Sequence, residues 1–116
     1  GFGLLMDLLD ENHCKFELDV FWAKIGGWDP LETLHKLDGR VSQVHLKDLK
    51  NGSKVCFDEG QVPHEAFKEL GNGNIDMATV MAVAEKIGVD QCHVEQDQSP
   101  DPIVSIGQSI DHLNSL

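Results

Sequence analysis

Three short stretches of the sequence alternate between apolar and polar residues, as β-strands with one covered face do. The pattern predicts strands at Phe16–Trp22, Val41–Leu49 and Gln91–Asp97. In the second stretch, Val44 and Leu46 share one face while His45 and Lys47 lie on the other. Each predicted strand therefore has an apolar face and a polar face that is rich in ionisable groups.

The segments around these strands have the apolar period of amphipathic helices. Helices are predicted at Phe2–Leu9, from Asp29 to about Gly39, at about Asp76–Ile87, and from Asp101 onwards. The last three begin with an aspartate N-cap, which is followed directly by proline in two of them. The last helix is expected to bury Ile103, Ile106, Ile110 and Leu113. A long irregular segment, Lys50–Asn74, with one or two helical turns expected within His64–Leu70, precedes the third helix.

The order α-β-α-β-α-β-α predicts an α/β fold in which parallel strands are joined by helical crossovers. Parallel strands are usually apolar throughout, so a polar face is typical of a barrel near the mouth where its active site lies. A closed (β/α)8 barrel needs about 250 residues, and this chain has 116. We therefore expect one domain, residues 1–116, forming a partial TIM barrel of three strands and four helices. A second chain or missing sequence would complete it.

Composition narrows the class of protein. The formal net charge of −11 argues against nucleic acid as a partner, because phosphate binding requires clustered lysine and arginine. The three cysteines form no C-x-x-C pair, which favours a reducing compartment. No apolar run is long enough for a membrane span, and no basic-then-apolar leader is present. The sequence predicts a cytoplasmic protein that does not bind membranes.

Asp19, His45 and Glu95 each lie on the polar face near the C-terminal end of a predicted strand. A mixed set of carboxylates and an imidazole suits Mn²⁺, Mg²⁺, Co²⁺ or Zn²⁺. Three protein ligands would leave positions open for two neighbouring oxygens of a sugar. We predict that these three residues form a divalent-metal site. Glu17 and His93 lie deeper on their strands and are expected to form a buried structural pair.

Other polar residues have two interpretations each. Lys47 either contacts a substrate oxygen or phosphate or forms an ion pair with Asp19 or Asp97. Trp22, beside Lys24, either stacks on the C–H face of a sugar or simply packs. The backbone N–H groups of the segment Gly71–Asn74 either bind an anion or form a turn that leads into the third helix.

Five short motifs occur in order along almost the whole chain. They are Phe16-Glu-Leu-Asp-Val-Phe-Trp22, Gly26-Gly-x-Asp-Pro30, Arg40-Val-x-x-Val-His-Leu-Lys-Asp48, Glu69-Leu-Gly-x-Gly-x-Ile-Asp76 and His93-Val-Glu-Gln-Asp97. Together they resemble the last three of eight strands in the sugar phosphate isomerase/epimerase group of xylose isomerase-like barrels. The chain is thus identified as the C-terminal part of such a protein.

The resemblance implies a divalent metal held by Glu, Asp, His and Glu on successive late strands. Asp19, His45 and Glu95 match the last three of these ligands, and the first glutamate is not in this sequence. In the family the two glutamates also form the acid–base pair that moves a proton beside a sugar carbonyl through an enediolate. Glu95 would be the base that this chain retains.

The leading hypothesis is a metal-dependent sugar or sugar-phosphate isomerase or epimerase that is incomplete as an isolated chain and forms a homo-oligomer, for example a homodimer. Glu95 and Lys47 would be catalytic, and Trp22, Lys24 and Lys47 would bind substrate. One rival is a non-catalytic remnant that oligomerises through its open sheet edges. Another is an AP-endonuclease-like DNA-repair enzyme, which the net charge and Phe67, at the position of a ligand histidine in that branch, argue against.

Overall fold

The computed structural model describes residues 2–116. In chain order the elements are α1 (Phe2–Leu8), β1 (Phe16–Asp19), α2 (Val20–Ile25), α3 (Pro30–Lys36), β2 (Val41–Leu46), β3 (Asp48–Leu49), β4 (Phe67–Lys68), α4 (Met77–Lys86), β5 (Gln91–Val94) and α5 (Pro102–Asn114). The strands β1, β2 and β5 form a parallel sheet with β2 in the middle. These strands and the helices between them confirm the predicted parallel α/β architecture.

The predicted number of four helices is wrong, because α2 is a fifth helix within residues 2–116. Strand β1 ends at Asp19, three residues earlier than the alternating pattern predicted. The backbone N–H of Trp22 donates to Asp19 Oδ1 over 2.9 Å, which is the hydrogen bond of a helix N-cap. This cap starts a helix in Val20–Trp22, although such β-branched and aromatic residues are common in strands.

The second predicted strand is divided at Lys47. Strand β2 ends at Leu46, and β3 pairs in antiparallel fashion with β4, outside the main sheet. Within the irregular segment, 3-10 turns form at Glu59–Gln61 and His64–Ala66. The predicted helical turns therefore exist at His64–Ala66, but the chain then becomes extended to form β4.

The core lies between the sheet and the helices. On β2, Val41, Val44 and Leu46 are buried, while Gln43 and His45 face away from the core and are partly exposed. Helices α3 and α4 begin where the sequence predicted, because Asp29 and Asp76 each accept a backbone hydrogen bond from the first turn. The polar face of the sheet is thus left open on the side opposite the helices.

Helix α5 buries a different face from the one expected. Its buried residues are Ser105 and Ser109, whereas Ile103, Ile106 and Ile110 are exposed, Ile103 to 80%. Leu113, the fourth residue of the predicted inner face, is partly buried and does pack against the core. The two serines face inward because their hydroxyl groups bind the segment after β4: Ser105 donates to Glu69, and Ser109 accepts from the backbone N–H of Leu70. A row of isoleucines therefore lies on the surface of this chain.

Helix α1 packs loosely and has no buried residue among those described. The guanidinium of Arg40 donates to the carbonyls of Met6 and Leu9 over 3.0 and 2.9 Å, and so caps the C-terminal end of α1. Arg40 also lies over the ring of Phe16, which links α1 to the start of the sheet. No helix in residues 2–116 has the length and apolar character needed to cross a lipid bilayer.

Candidate metal centre

The three predicted ligands meet at one edge of the sheet. Asp19, the last residue of β1, is the register partner of His45, and the partner of His45 on β5 is His93. Glu95 follows two residues after His93, just beyond the end of β5. The period of two therefore places all three side chains on the polar face, with Glu95 one step further along the sheet.

One donor atom from each residue lies within 4.8 Å of the other two. His45 Nδ1 is 2.9 Å from Glu95 Oε2 and 3.7 Å from Asp19 Oδ2. Two carboxylate oxygens and an imidazole nitrogen at such separations suit a divalent cation of the Mg²⁺, Mn²⁺ or Zn²⁺ type. The donor set thus fits the metal that the sequence predicted, although the donors alone do not select one ion.

The two oxygens of Asp19 have different partners. Oδ1 accepts the N-cap hydrogen bond from Trp22, so Oδ2 is the oxygen that faces His45 and Lys47. Burial raises the pKa of Asp19, against the opposing effects of the Trp22 N–H and of Lys47. A cation beside Oδ2 would favour the charged form that burial disfavours.

Lys47 lies in the middle of the acidic residues, and its side chain is only 2% exposed. Its ammonium is 3.1 Å from Asp19 Oδ2, 2.9 Å from Glu95 Oε2 and 2.9 Å from Asp97 Oδ1. Burial lowers the pKa of Lys47, but the hydrogen bonds to Glu95 and Asp97 and the charge of Asp19 outweigh it, so the net shift is upward. Of the two interpretations of Lys47, this geometry matches the ion pair, and it includes both Asp19 and Asp97.

Glu95 is the most accessible of the three candidate ligands, with 44% of its side chain exposed. The hydrogen bond from Lys47 lowers the pKa of Glu95, with a smaller contribution from the charge of His45. Glu95 is therefore an ionised carboxylate at neutral pH that a small molecule can reach. Such a group can bind a cation or accept a proton.

Glu17 and His93 do not form the buried pair that was expected. Glu17 Oε1 lies 3.3 Å from His45 Nε2, and His93 Nε2 is 3.1 Å from Gln43 Oε1. Both side chains are exposed, because no further strand within residues 2–116 covers the polar face near them. Glu17 thus contacts the ring nitrogen of His45 that points away from the other two ligands.

Of the predicted substrate-binding residues, Lys47 and Trp22 lie at this centre, whereas Lys24 does not. Trp22 is on α2, and its ring is 5.9 Å from the Lys47 ammonium. It lines one cavity of about 380 Å³ together with Asp19 and another of about 510 Å³ together with His64 and Asp97. Lys24 points elsewhere and donates to the carbonyl of Asn74 over 3.0 Å, which attaches α2 to the loop before α4.

The segment Gly71–Asn74 does bind an anion through its backbone, but that anion is the carboxylate of Asp48. Asp48 is fully buried and accepts from the N–H groups of Gly71, Gly73, Ile75 and its own neighbour Leu49, over 2.8–3.0 Å. A Cβ at position 73 would collide with the Asp48 carboxyl group. This segment is therefore a structural turn rather than a ligand site.

A polar network next to Glu95 has no signal in the sequence pattern. Ser105 donates to Glu69 Oε1 over 2.6 Å, and Gln96 and Asn72 also contact the Glu69 carboxylate. The hydrogen bond from Ser105 lowers the pKa of Glu69 to about 2. Because Gln96 follows Glu95 directly, this network holds the backbone next to the third candidate ligand. It was missed because Ser105 lies on the helix face that apolar periodicity assigned to solvent.

Sequence comparison places the chain beside a group of curated enzymes. An inosose dehydratase from Clostridium perfringens is 35% identical over 104 aligned positions, which cover 83% of this chain and 35% of the relative. An inosose dehydratase from Geobacillus kaustophilus is 43% identical over 84 positions, which cover 67% of this chain and 27% of the relative. The chain thus spans about a third of the length of the curated relatives it matches. No family model matches the sequence.

Solved structures share the fold. A sugar phosphate isomerase/epimerase from Parabacteroides distasonis superimposes with a TM-score of 0.78 at 21% identity, covering 99% of this chain and 36% of that protein. The IolI protein with a bound zinc atom superimposes with a TM-score of 0.64 at 20% identity, covering 85% of this chain and 36% of that protein. These superpositions account for three parallel strands with two open edges, since they match only part of a larger α/β structure.

Proposed function

Because this chain belongs to the sugar phosphate isomerase/epimerase family of xylose isomerase-like TIM barrels, we propose that it supplies the metal-binding strands of an enzyme acting on a sugar or cyclic polyol. The reaction would begin by moving a proton from the carbon beside a carbonyl group. The observation that carries the proposal is the convergence of Asp19, His45 and Glu95, whose donor atoms lie within 4.8 Å of one another. The bound IolI zinc supports a metal in this fold.

Asp19, His45 and Glu95 would hold the divalent ion. When bound, such an ion polarises a substrate carbonyl and stabilises the negative charge that develops on its oxygen. Glu17 would accept a hydrogen bond from His45 Nε2, which leaves Nδ1 free to face the ion. Such a contact to the second ring nitrogen is a common feature of metal-binding histidines.

Glu95 would be the base. In the metal-free chain the hydrogen bond from Lys47 lowers the pKa of Glu95, and the exposure of its carboxylate lets a substrate carbon approach. Lys47 itself has three N–H donors, and Asp19, Glu95 and Asp97 account for all of them. A direct contact between Lys47 and a substrate oxygen would therefore require one carboxylate to release it.

Residues 2–116 do not supply an evident second carboxylate for the acid–base pair. Within residues 2–116, Asp19 is only 16% exposed and is engaged as an N-cap, and Glu17 contacts the far side of His45. We propose that the other glutamate comes from outside this chain, either from further sequence of the same polypeptide or from another copy. The 116-residue chain would then bind the metal but would not turn over substrate alone.

A dehydratase is the second candidate, and the identities of the sequence relatives favour it. The curated inosose dehydratases are 31–43% identical to this chain, against 21% for the isomerase/epimerase structure. Both reactions begin with removal of the proton beside the carbonyl. An isomerase or epimerase then returns a proton to carbon, whereas a dehydratase breaks the bond to a hydroxyl group on the adjacent carbon, which leaves as water after protonation.

Metal binding can be tested on the chain by thermal unfolding. We expect Mn²⁺, Co²⁺ or Zn²⁺ at 100 times its Kd to stabilise the chain by about 2.7 kcal/mol, because the folded state alone holds the three ligands together. Asp19→Asn and Glu95→Gln should abolish this increase. Asp38→Asn and Glu85→Gln, at exposed positions away from the site, are matched controls that should retain it. Unchanged melting with all three ions would refute the ligand assignment.

The reaction can be tested once the barrel is complete, whether from a longer polypeptide or an assembled complex. Exchange of the proton beside the carbonyl for deuterium in ²H₂O reports the shared first step. An inosose that then gains the ultraviolet absorbance of a conjugated enone identifies a dehydratase, and a rearranged sugar without that absorbance identifies an isomerase or epimerase. No exchange with any ketose, ketose phosphate or inosose would favour the non-catalytic remnant.

A further inference from the structure

The metal site contains a cation of its own. The ammonium of Lys47 touches the same Asp19 Oδ2 and Glu95 Oε2 atoms that face His45, and it is buried among them. Three carboxylates, those of Asp19, Glu95 and Asp97, surround this single positive charge. Their negative charge exceeds that of Lys47 by two elementary charges when all are ionised, which a divalent ion would neutralise.

Lys47 and a metal ion would have to use the same oxygen of Asp19. Its Oδ1 is committed to the N–H of Trp22 at the start of α2, so Oδ2 is the oxygen left for any cation. Lys47 already lies 3.1 Å from that oxygen. A metal ion and the ammonium cannot both be in close contact with it without strong repulsion, because like charges a few ångströms apart repel strongly in a partly buried site.

Asp97 is an alternative ion-pair partner for the ammonium of Lys47. Both of its oxygens accept from Lys47, over 2.9 and 3.0 Å, and neither lies in the set of donor atoms that could hold the ion. Asp97 borders the cavity of about 510 Å³ and is not one of the three candidate metal ligands.

Building on the metal site proposed above, we propose that Lys47 is an internal counterion that occupies the site before the metal does. On metal binding its ammonium leaves Asp19 and Glu95 and is retained by Asp97. Lys47 thereby keeps the ligand carboxylates together in the metal-free protein and weakens metal affinity. It acts as a positioning residue that sets the concentration at which the site fills.

Substitutions of Lys47 and Asp97 should have opposite effects on metal affinity. Lys47→Met removes the competing charge, so Mn²⁺ should bind about tenfold more tightly by calorimetry, while the metal-free chain in EDTA should melt at least about 4 °C lower. Asp97→Asn removes the alternative partner of the ammonium, so Mn²⁺ should bind about tenfold more weakly. Asp97 is partly exposed, so Asp97→Asn tests the proposal even if Lys47→Met does not fold.

Combining Lys47→Met with Asp97→Asn separates competition between Lys47 and the metal ion from a general effect of charge. If Asp97 acts through Lys47, then Asp97→Asn should change the Mn²⁺ affinity less than about twofold in the Lys47→Met background. Additive effects of the two substitutions, or an unchanged Kd in Lys47→Met, would overturn the counterion role while leaving the metal site intact. Absence of Mn²⁺ and Zn²⁺ binding to both the wild type and Lys47→Met would overturn the metal site itself.

Discussion

At the scale of single residues, Asp19 shows how closely fold and site are joined. One carboxylate oxygen ends β1 by starting α2, and the other faces His45 and Lys47. A substitution at Asp19 would therefore change the local backbone as well as the ligand set. Asp19→Asn keeps the oxygen that accepts from Trp22, so it is a better probe of metal binding than Asp19→Ala.

Glu17 gives a prediction that depends on its contact with His45. Glu17→Gln should weaken metal binding about 10-fold, because the carboxylate beside His45 Nε2 orients the ring and raises its basicity. Calorimetric titration of the variant with Mn²⁺ measures the change. Glu85→Gln, on the exposed face of α4, is the control for loss of one negative charge, and an equal loss of affinity in both variants would refute the orienting role.

Glu69 gives a prediction on acid stability. Its pKa is lowered to about 2 from an ordinary value of 4.5, mainly by the hydrogen bond from Ser105. A lowered pKa contributes stability that is present above the unfolded pKa and is lost as the pH falls towards the folded pKa. The chain should therefore lose part of its free energy of unfolding between about pH 4.5 and pH 2.

Ser105→Ala tests this assignment. Removing the donor should cost about 1.5–3 kcal/mol at pH 7, the range for a hydrogen bond to a charged group, and should flatten the acid limb of the stability curve. Urea unfolding at several pH values provides the measurement. Ser99→Ala is a useful comparison, since Ser99 contacts Ser105 but not the Glu69 carboxylate. An unchanged acid limb in Ser105→Ala would contradict the role of Ser105.

At the scale of elements, local signals predicted the helices better than the ends of strands. Asp29, Asp76 and Asp101 mark their helices correctly because an N-cap hydrogen bond is made within one turn. The same logic, applied to Asp19, would have found α2. The pattern does not reveal α2, because the apolar residues that follow Asp19 also fit a strand. An alternation with a period of two cannot show where an N-cap ends a strand.

The meeting of Asp19, His45 and Glu95 could be predicted because a parallel sheet has a fixed register. Strands that run in the same direction bring their C-terminal ends to one edge, so Asp19, His45 and Glu95 meet there without any knowledge of distant contacts. The roles of Lys47 and Glu69 could not be predicted fully, because they depend on contacts across 27–50 residues of sequence. The ion pairs of Lys47 were one of two interpretations left open.

Asp48 gives a prediction for the long segment between β3 and α4. Asp48→Asn would place an amide NH₂ group against backbone N–H donors that now bind a carboxylate oxygen, which should cost about 3 kcal/mol. Residues 50–74 should then become more sensitive to limited proteolysis than the rest of the chain. Asp90→Asn, at an exposed position, should leave the cleavage pattern unchanged.

At the scale of the whole molecule, β1 and β5 are the outer strands of an open sheet. Their unpaired backbone groups and the exposed isoleucines of α5 are surfaces that another strand or helix would cover in a closed barrel. The homo-oligomer predicted from the sequence rests on the open sheet edges, and the exposed isoleucines add a second surface that a partner could cover. The alternative source of cover is further sequence of the same polypeptide.

Light scattering on the purified chain distinguishes monomer from oligomer. We expect self-association at micromolar concentration, since an exposed edge and an apolar face favour it. A double substitution of Ile103→Glu and Ile110→Glu should shift the chain towards the monomer without changing its metal affinity, because neither residue is near Asp19, His45 or Glu95 in the sequence or among their contacts. A monomer in the wild type would refute association through this helix.

The inward serines of α5 have a practical consequence. Helix α5 is held to the rest of the chain by the hydroxyl hydrogen bonds of buried serines, and its exposed face is apolar. The chain should therefore have low solubility in ordinary buffers. Preparations of this chain should precipitate on concentration and should be rescued by mild detergent or by arginine, long before the fold itself is lost. Crystallisation and spectroscopy would therefore benefit from changing the surface of that one helix first.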